Sequence, residues 1–436
     1  MSNIDYSDPN NTPPIGQAVP LGLQHVLAMF ASNVTPSIIV AGAAGLAFGG
    51  AEQIYLIQMA MLFAGIATLF QTIGIGPIGA RLPIMQGTSF AFVGVLAGVA
   101  ATQGLSVALT ACIIAGLIHF SLGSVMQKLR FMFPPLVTGL VILAIGLYLI
   151  PVAIKYAAGG AADFQMAADS FGSLLHWTVA LTVVVVSLAC KFMTKGLISN
   201  AAILIGLIAG YIVAVFSGMV SFGGVENAKW FQLPAVMPYG FEFSLGAVIG
   251  VTLVSLVSAI ETIGDTSATT KAGSERDATD AEISGATYAD GLGTAVAGVF
   301  GGLPNTSFSQ NVGIVGMTGI MSRHVVTIAG IIMIICGLIP KIGAVISSMP
   351  LPVLGGGVIV MFGMVAAAGM NMLSTVSMNR RNMIIISVSL AVGLGLNLVP
   401  SAVQHLPGIW KTLATSAVAP TALLAVIMNL VLPEDD

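Results

Sequence analysis

Residues 303–311, LPNTSFSQN, form a polar stretch between apolar parts of the chain, and residues 82–90, LPIMQGTSF, form a second stretch of the same kind. Each stretch begins with a Leu-Pro pair and is rich in hydroxyl and amide side chains. The tripeptide Thr88–Phe90 recurs 218 positions later as Thr306–Phe308. The two stretches therefore indicate a related pair of interruptions in long apolar segments, and paired interruptions are typical of binding sites in membrane transport proteins.

The composition of the whole chain supports a membrane location. Of the 436 residues, 56% are hydrophobic and 7% are charged, whereas a soluble domain usually carries about 25% charged residues. Lipid must therefore be the solvent for most of the apolar surface. The net charge of −3 without a basic run argues against a nucleic-acid partner. The three cysteines are widely spaced and no ATP-binding or metal-binding motif occurs, so we expect no metal and no other cofactor.

The uncharged runs predict an all-α polytopic protein with fourteen membrane segments, because a helix crosses the hydrocarbon with about 20 residues. The predicted segments are residues 18–45, 53–75, 84–101, 103–125, 131–154, 171–191, 197–216, 243–268, 279–301, 303–320, 323–346, 350–373, 382–400 and 412–432. With the N-terminus inside, ten of the fourteen Lys and Arg residues fall in predicted cytoplasmic loops. This asymmetry predicts a protein of the cell inner membrane with both termini in the cytoplasm.

Segments five and twelve also resemble each other, which predicts an internal repeat. Five residues of segment five recur 217 positions later, namely Pro135, Gly139, Val141, Ile142 and Gly146 as Pro352, Gly356, Val358, Ile359 and Gly363. The chain then divides into two seven-segment halves, residues 1–217 and 218–436. Because seven is odd, the second half is inverted relative to the first, as in alternating-access transporters whose binding site lies between the breaks. Chance similarity between two glycine-rich apolar helices is the alternative.

Glu261 and Asp265 in predicted segment eight, and Asp290 midway through segment nine, are acidic residues that do not lie in loops or at the termini. A charge at the bilayer centre costs at least about 2.5–3.5 kcal/mol on insertion scales, and neither segment offers a Lys or Arg at similar depth. The three acids must therefore be protonated part of the time or hydrogen-bonded to polar groups. A proton or substrate site explains this cost, and a purely structural hydrogen-bond network is the alternative.

Other polar and aromatic residues complete the predicted site. Gln310 and Asn311 lie in the second break, and a side-chain amide offers both a donor and an acceptor for the N–H and C=O edge of a planar heterocycle. Phe90, in the first break, can stack on the face of such a ring, although packing is the commoner role of a membrane aromatic. His25 in segment one is more often a structural residue than a ligand at such a position.

Residues 310–319, QNVGIVGMTG, resemble the signature of the nucleobase–ascorbate transporter family, Q/E-N-x-G-x4-T-(G/R/K). Similar family blocks occur at Gln24-His25, at residues 86–90, at residues 261–265 and at Asp290, so the resemblance covers nearly the whole chain. It implies a core domain formed by segments 1–4 and 8–11 (about 18–125 and 243–346). It also implies a gate domain formed by segments 5–7 and 12–14 (about 131–216 and 350–433), short strands in segments 3 and 10, and a homodimer joined through the gate.

The resemblance also implies a function and roles for site residues. Family members of this kind are mostly proton symporters that move a base by elevator-like alternating access. By this likeness Glu261 and Gln310 bind the base, and the backbone at Phe90 and Ser309 adds hydrogen bonds. The remaining residues support geometry and proton coupling, namely Asp290, Asp265, Asn311 and His25.

The resemblance favours a purine substrate. With Asp265 and Gln310, the chain resembles family members that carry purines rather than those that carry uracil. Val312 does not distinguish xanthine from uric acid as the substrate. The alternatives are a symporter of uracil or another nucleobase and an anion carrier of the same fold, against which Glu261 argues. A channel and a membrane enzyme are less consistent with two unlike breaks and with the lack of a nucleophile–base set.

Overall fold

The computed structural model describes residues 7–160, 163–164 and 166–433, and it is built almost entirely of helices. The helices of the first part of the chain are α1 (Ile15–Ala43), α2 (Ala51–Ile73), α3 (Val93–Gln103), α4 (Leu105–Leu122), α5 (Met126–Leu129), α6 (Pro135–Ala157), α7 (Leu174–Met193), α8 (Leu197–Asn200), α9 (Ala202–Phe216) and α10 (Gly223–Asn227).

The helices of the second part begin near residue 245 and are interrupted by the second of two short strands. They are α11 (Leu245–Ser274), α12 (Asp280–Val299), α13 (Ser309–Thr318), α14 (Arg323–Gly337), α15 (Pro340–Ser347), α16 (Leu351–Leu373), α17 (Arg380–Leu398), α18 (Gly408–Ala414) and α19 (Val418–Val431). The strands are β1 (Gln86–Thr88) and β2 (Asn305–Ser307).

The described helices confirm a polytopic helical protein. Eight of them are long and apolar enough to cross a membrane, and α14 with α15 forms a ninth candidate that is bent by 79°. Each of the fourteen predicted segments contains at least one described helix. Fourteen crossings nevertheless stay a prediction, because several of these helices, such as α3 and α9, are shorter than a full span.

The two strands lie where the two polar stretches of the sequence lie. They pair antiparallel, with Gln86 opposite Ser307 and Thr88 opposite Asn305. The backbone N–H of Ser89 donates to the carbonyl of Pro304 at 2.9 Å and extends the pairing by one residue. The interruptions therefore meet at one place inside the protein, as the shared pattern predicted.

The outer edges of this strand pair are hydrogen-bonded to side chains of neighbouring helices. Thr68 of α2 accepts from the N–H of Gln86 at 2.9 Å, and Asn33 of α1 accepts from the N–H of Thr88 at 2.8 Å. On the other strand, Thr294 of α12 accepts from the N–H of Asn305 at 3.0 Å. An open sheet edge is too costly in an apolar interior, and these side chains remove that cost.

Glycine and alanine allow the long helices to approach closely. A Cβ atom at Gly146 of α6 would lie 2.4 Å from the backbone nitrogen of Ala366 of α16, and one at Gly369 would lie 2.4 Å from that of Leu143. Small residues at such seams bring helix backbones together in membrane proteins, where dispersion replaces the hydrophobic effect. The related segments five and twelve therefore pack directly against each other.

The outward faces of two helices carry apolar side chains. In the most apolar 18-residue stretch of α7, and in that of α17, 22% of the residues are buried inside the protein. The corresponding stretch of α2 has 78% of its residues buried. Leu181 and Val185 of α7 and Val388 and Val392 of α17 are exposed. Apolar surface of this extent requires lipid or another protein surface as its surroundings.

Candidate functional site

A cavity of about 460 Å³ lies beside the strand pair. It is lined by residues of β1, β2 and the start of α13, and by residues of α6, the α7–α9 region and α16. Of the eight site residues predicted from the sequence, four line this cavity: Phe90, Glu261, Ser309 and Gln310. The other four are buried close to the strands and are not among its lining residues: His25, Asp265, Asp290 and Asn311.

Glu261 lines the cavity from the middle of α11. Its Oε2 atom is buried and has no hydrogen-bond partner among the described residues. A buried carboxylate oxygen without a partner costs several kcal/mol in lost solvation. Because Glu261 lines the cavity and the protein does not satisfy its carboxyl group, we expect this group to hydrogen-bond a ligand there.

Gln310 and Ser309 lie at the first turn of α13, immediately after β2. The first N–H groups of a helix have no partner within the helix, and the helix dipole makes this end favourable for partial negative charge. The amide of Gln310 adds a donor and an acceptor at the same wall. Gly319 ends α13 in the left-handed conformation with φ +66°, which accounts for the glycine after Thr318.

Asp265 lies one helical turn after Glu261 and is held by two hydroxyl groups. Ser307 of β2 donates to its Oδ2 at 2.7 Å, and Ser309 donates to its Oδ1 at 2.7 Å. Both carboxylate oxygens are therefore occupied within the protein. Asp265 fixes the position of the junction between β2 and α13 relative to α11.

Asp290 of α12 connects three other elements. The side-chain amide of Gln86 of β1 donates to its Oδ1 at 2.6 Å, and the amide of Gln71 of α2 donates to the same oxygen at 3.3 Å. The hydroxyl of Thr262 of α11 donates to its Oδ2. Asp290 is fully buried, so these three donors replace the water that a carboxylate would otherwise bind.

Asn311 and His25 form a pair behind the cavity wall. The Nδ2 atom of Asn311 lies 3.1 Å from Nδ1 of His25 and donates to the backbone carbonyl of the same residue at 3.0 Å. Nδ1 of His25 must accept in this contact because the amide nitrogen has only protons to offer. The pair joins α13 to α1 and holds the ring of His25 in one orientation.

Phe90 follows β1 and meets Phe362 of α16 edge to face, with ring centroids 5.1 Å apart. The hydroxyl of Tyr148 of α6 donates to the carbonyl of Phe90 at 3.2 Å and accepts from the N–H of Gly94 at 3.2 Å. The ring of Phe90 is 8% exposed and lies at the cavity wall. It can therefore cover one face of a flat ligand only in part, because Phe362 already packs against it.

Several site residues were not identified from the sequence. Gln71 and Thr262 hydrogen-bond to Asp290. Single Gln and Thr residues are common in apolar helices, so the sequence alone does not identify these two as partners of a buried acid. Lys191, Asn200 and Asn371 also line the cavity. Lys191 is the last residue of the predicted segment 171–191, and the structure places it in the last turn of α7.

The chemistry of the site is that of reversible recognition. It combines a carboxyl group, a side-chain amide, free helix N–H groups and an aromatic ring inside a mostly apolar cavity. Within the described part of the chain, no three His, Cys, Asp or Glu side chains cluster in a way that could hold a metal ion. A polar site between broken segments in a polytopic helical protein defines a solute transporter.

Sequence comparison identifies the family. The model described as the Permease family matches residues 16–430. The uric acid permease PucK of Bacillus subtilis is 38% identical over 415 residues, covering 95% of this chain and 95% of that protein. The xanthine permease XanQ of Escherichia coli is 32% identical over 451 residues, covering 99% and 96%. The chain belongs to this permease family, the nucleobase–ascorbate transporters, and is a multi-pass membrane transporter and not an enzyme.

Solved structures support the same fold. The transmembrane domain of the cyanobacterial bicarbonate transporter BicA matches with a TM-score of 0.63 and 14% identity, covering 95% of this chain and 97% of that one. The anion transporter Slc26a9 of the mouse matches with a TM-score of 0.59 and 13% identity, covering 96% and 69%. These similarities establish the architecture alone, since the sequences have diverged so far.

Proposed function

We propose that this protein is a secondary active transporter that carries a purine base, xanthine or uric acid, into the cell together with protons. The observation that carries the proposal is that Glu261, whose buried Oε2 atom has no partner among the described residues, lines the same cavity as Gln310 with its side-chain amide. A purine base offers ring N–H donors and C=O acceptors along one edge, which these two side chains complement. The printed names of the relatives above support this substrate class.

The base is bound beside the strand pair, in the cavity that residues of α6 and α16 also line. Glu261 accepts a ring N–H, and Gln310 pairs with the neighbouring N–H and C=O edge. The backbone at Phe90 and Ser309 supplies further hydrogen bonds, and the ring of Phe90 limits movement of the base at one edge. The cavity volume of about 460 Å³ leaves room for a purine and a few waters.

Protons accompany the base through the buried acids. Glu261, Asp265 and Asp290 lie on two neighbouring helices, and none of them forms an ion pair with a Lys or Arg among the described residues. An uncompensated buried carboxylate is unfavourable, so protonation on one side of the membrane and release on the other can drive the transport cycle. Asn311 and His25 hold the geometry that this exchange requires.

The architecture that supports this cycle is a pair of inverted seven-segment halves. If the halves are equivalent, segment two corresponds to segment nine, and segment four corresponds to segment eleven. A contact between segments two and eleven should then recur between segments nine and four. The structure packs α2 closely against α14, with Gly65 at Gly330, and packs α4 closely against α12, with Gly116 at Ala295. This exchange of equivalent contacts supports the division at residues 1–217 and 218–436.

The two halves combine into a core and a gate domain. The core comprises segments 1–4 and 8–11 and carries the strands, and it moves the base past the gate of segments 5–7 and 12–14 in an elevator-like motion. Two copies associate through their gates in the inner membrane, with both termini in the cytoplasm. The exposed apolar faces of α7 and α17, both gate helices, support a lipid or partner contact there.

A competition assay tests the substrate. Uptake of radiolabelled xanthine and uric acid is measured in a strain that lacks its own carriers, with unlabelled xanthine, uric acid, guanine, hypoxanthine and uracil as competitors. We expect the first two bases to compete most strongly and uracil to compete weakly. Cells that take up neither labelled purine but take up labelled uracil would assign the alternative nucleobase function, and cells that take up labelled bicarbonate or another inorganic anion instead would assign the anion-carrier alternative.

A further inference from the structure

The residues that line the cavity carry different kinds of polar group. Glu261 and Gln310 come from α11 and α13, whereas Lys191 comes from the end of α7, Asn200 from α8 and Asn371 from α16. Glu261 and Lys191 are the charged residues among those described as lining the cavity. The other lining groups are mostly apolar, and an apolar, poorly hydrated surface strengthens the field of a charge within it.

The position of Lys191 is held by its surroundings. It lies in the last turn of α7, and the hydroxyl of Ser199 donates to its backbone carbonyl at 3.2 Å, which ties that turn to α8. Asn200 in α8 lies 3.5 Å from Gln24 of α1 through their side-chain amides. Among the described residues no carboxylate comes within the 4.0 Å of an ion pair with Lys191. Lys191 therefore lines the cavity without an ion-pair partner in the described part of the chain.

We propose that Lys191 is a specificity-determining residue that favours the monoanionic form of an oxopurine over a neutral purine base. This inference rests on the proposed function and adds the charge of the preferred substrate. An oxopurine such as uric acid loses a ring proton readily, and the resulting charge is delocalised over one side of the ring system. A ligand of this kind presents N–H groups to Glu261 and its negative side to Lys191.

Lys191 and Glu261 would then have different roles in recognising the base. Glu261 recognises an N–H donor and is common to neutral and anionic bases. Lys191 interacts mainly with net charge, because an ammonium group on a flexible stem acts as a point charge rather than as a shaped hydrogen-bond partner. Removal of Lys191 should therefore change the ratio of affinities for anionic and neutral bases, and leave the hydrogen-bonding pattern of the base intact.

The test measures binding of radiolabelled uric acid and xanthine to the purified full-length protein at mildly acidic pH, where uric acid is a monoanion and xanthine is largely neutral. We expect Lys191→Gln to weaken binding of uric acid about fivefold, and that of xanthine less than about twofold. Added salt should weaken binding of uric acid to the wild type and have less effect on the variant. Lys191→Arg should restore most of the preference.

Lys195 provides a matched control, because it is exposed and is not among the residues that line the cavity. Lys195→Gln should bind both bases as the wild type does. Equal weakening of both bases by Lys191→Gln, no change in either, or the same shift in Lys195→Gln would overturn the inference. In each case the proposed function stands as long as the wild type binds these bases, and it fails only if the wild type binds neither.

Discussion

The three buried acids differ in how their carboxylate oxygens are satisfied. Asp265 accepts from two serine hydroxyls, and Asp290 accepts from two amides and a threonine hydroxyl. Glu261, by contrast, keeps Oε2 without a partner among the described residues. Since an unpartnered buried acceptor is costly, this difference favours Glu261 as the acid that meets the substrate, and Asp265 and Asp290 as acids that position the strands.

Glu261→Gln tests this distinction. The substitution keeps the size of the side chain but removes the negative acceptor, and a hydrogen bond to a charged group contributes about 1.5–3 kcal/mol. We expect uptake of the purine base to fall by roughly tenfold or more, while the variant reaches the membrane in normal amounts. Uptake rates and membrane levels measured on the same cells provide the test.

Glu226 offers a control for this experiment, because it is an exposed glutamate in α10 far along the chain from the strands. Glu226→Gln should transport at the rate of the wild type. A Glu261→Gln variant that also transports at that rate would remove Glu261 from the binding site. A variant that fails to reach the membrane would instead assign it a structural role.

At the scale of the element, the strand pair depends on glycine at one position. A Cβ atom at Gly87 of β1 would lie 2.5 Å from a ring carbon of Phe308, 2.6 Å from the methyl group of Met29 and 2.8 Å from Oδ1 of Asn33. Asn33 itself holds the N–H of Thr88, so it has little freedom to move away. The backbone of β1 can therefore approach α1 and β2 only because residue 87 has no side chain.

Gly87→Ala should displace the strand pair and weaken the site. Overpacking of a well-packed interior typically costs about 1–3 kcal/mol, so we expect a lower unfolding temperature of the purified protein and loss of most uptake. Gly98→Ala in α3 is the control, because a Cβ there meets nothing closer than 4.0 Å and alanine favours a helix over glycine. Equal behaviour of the two variants would contradict the argument from packing.

At the scale of the whole molecule, the site joins parts of the chain that are far apart in sequence. Asp290 binds Gln71 and Gln86, which lie more than 200 positions earlier, and Asn311 binds His25, which lies 286 positions earlier. Asp265, Asp290, the strands and α1 therefore form one hydrogen-bonded unit. A unit of this kind could move as a rigid body past α6 and α16, as the proposed elevator-like cycle would require.

The proposed proton coupling is also tested on the whole molecule. If the buried acids exchange protons during transport, uptake of the purine base should collapse when a protonophore removes the proton gradient. Uptake by intact cells is measured with and without the protonophore, at a constant concentration of the base. Uptake that persists, or that depends on a sodium gradient instead, would exclude proton symport while leaving the binding site unaffected.

Much of this protein can be predicted from the order of its residues. Several features of the sequence are local: the long apolar segments, the two polar interruptions after Leu-Pro pairs and the acids within membrane segments. Local features of this kind show whether a segment is surrounded by lipid, by protein or by water. The interruptions at residues 82–90 and 303–311 were expected to face each other, and β1 and β2 are paired in the structure. The family signature at residues 310–319 likewise depends only on neighbouring residues.

The tertiary structure alone decided how the acids are partnered and what faces them. Whether Oε2 of Glu261 stays free depends on which donors the packing of α2, α12 and the strands directs to Asp290 and Asp265 instead. Lys191 appears in the sequence as an ordinary basic residue at the end of an apolar segment, and only packing brings it to the cavity that Glu261 also lines. The physical reason is that the neighbouring sequence determines whether a segment lies in lipid or in water. The hydrogen-bond partners of a side chain depend instead on how helices distant in sequence pack.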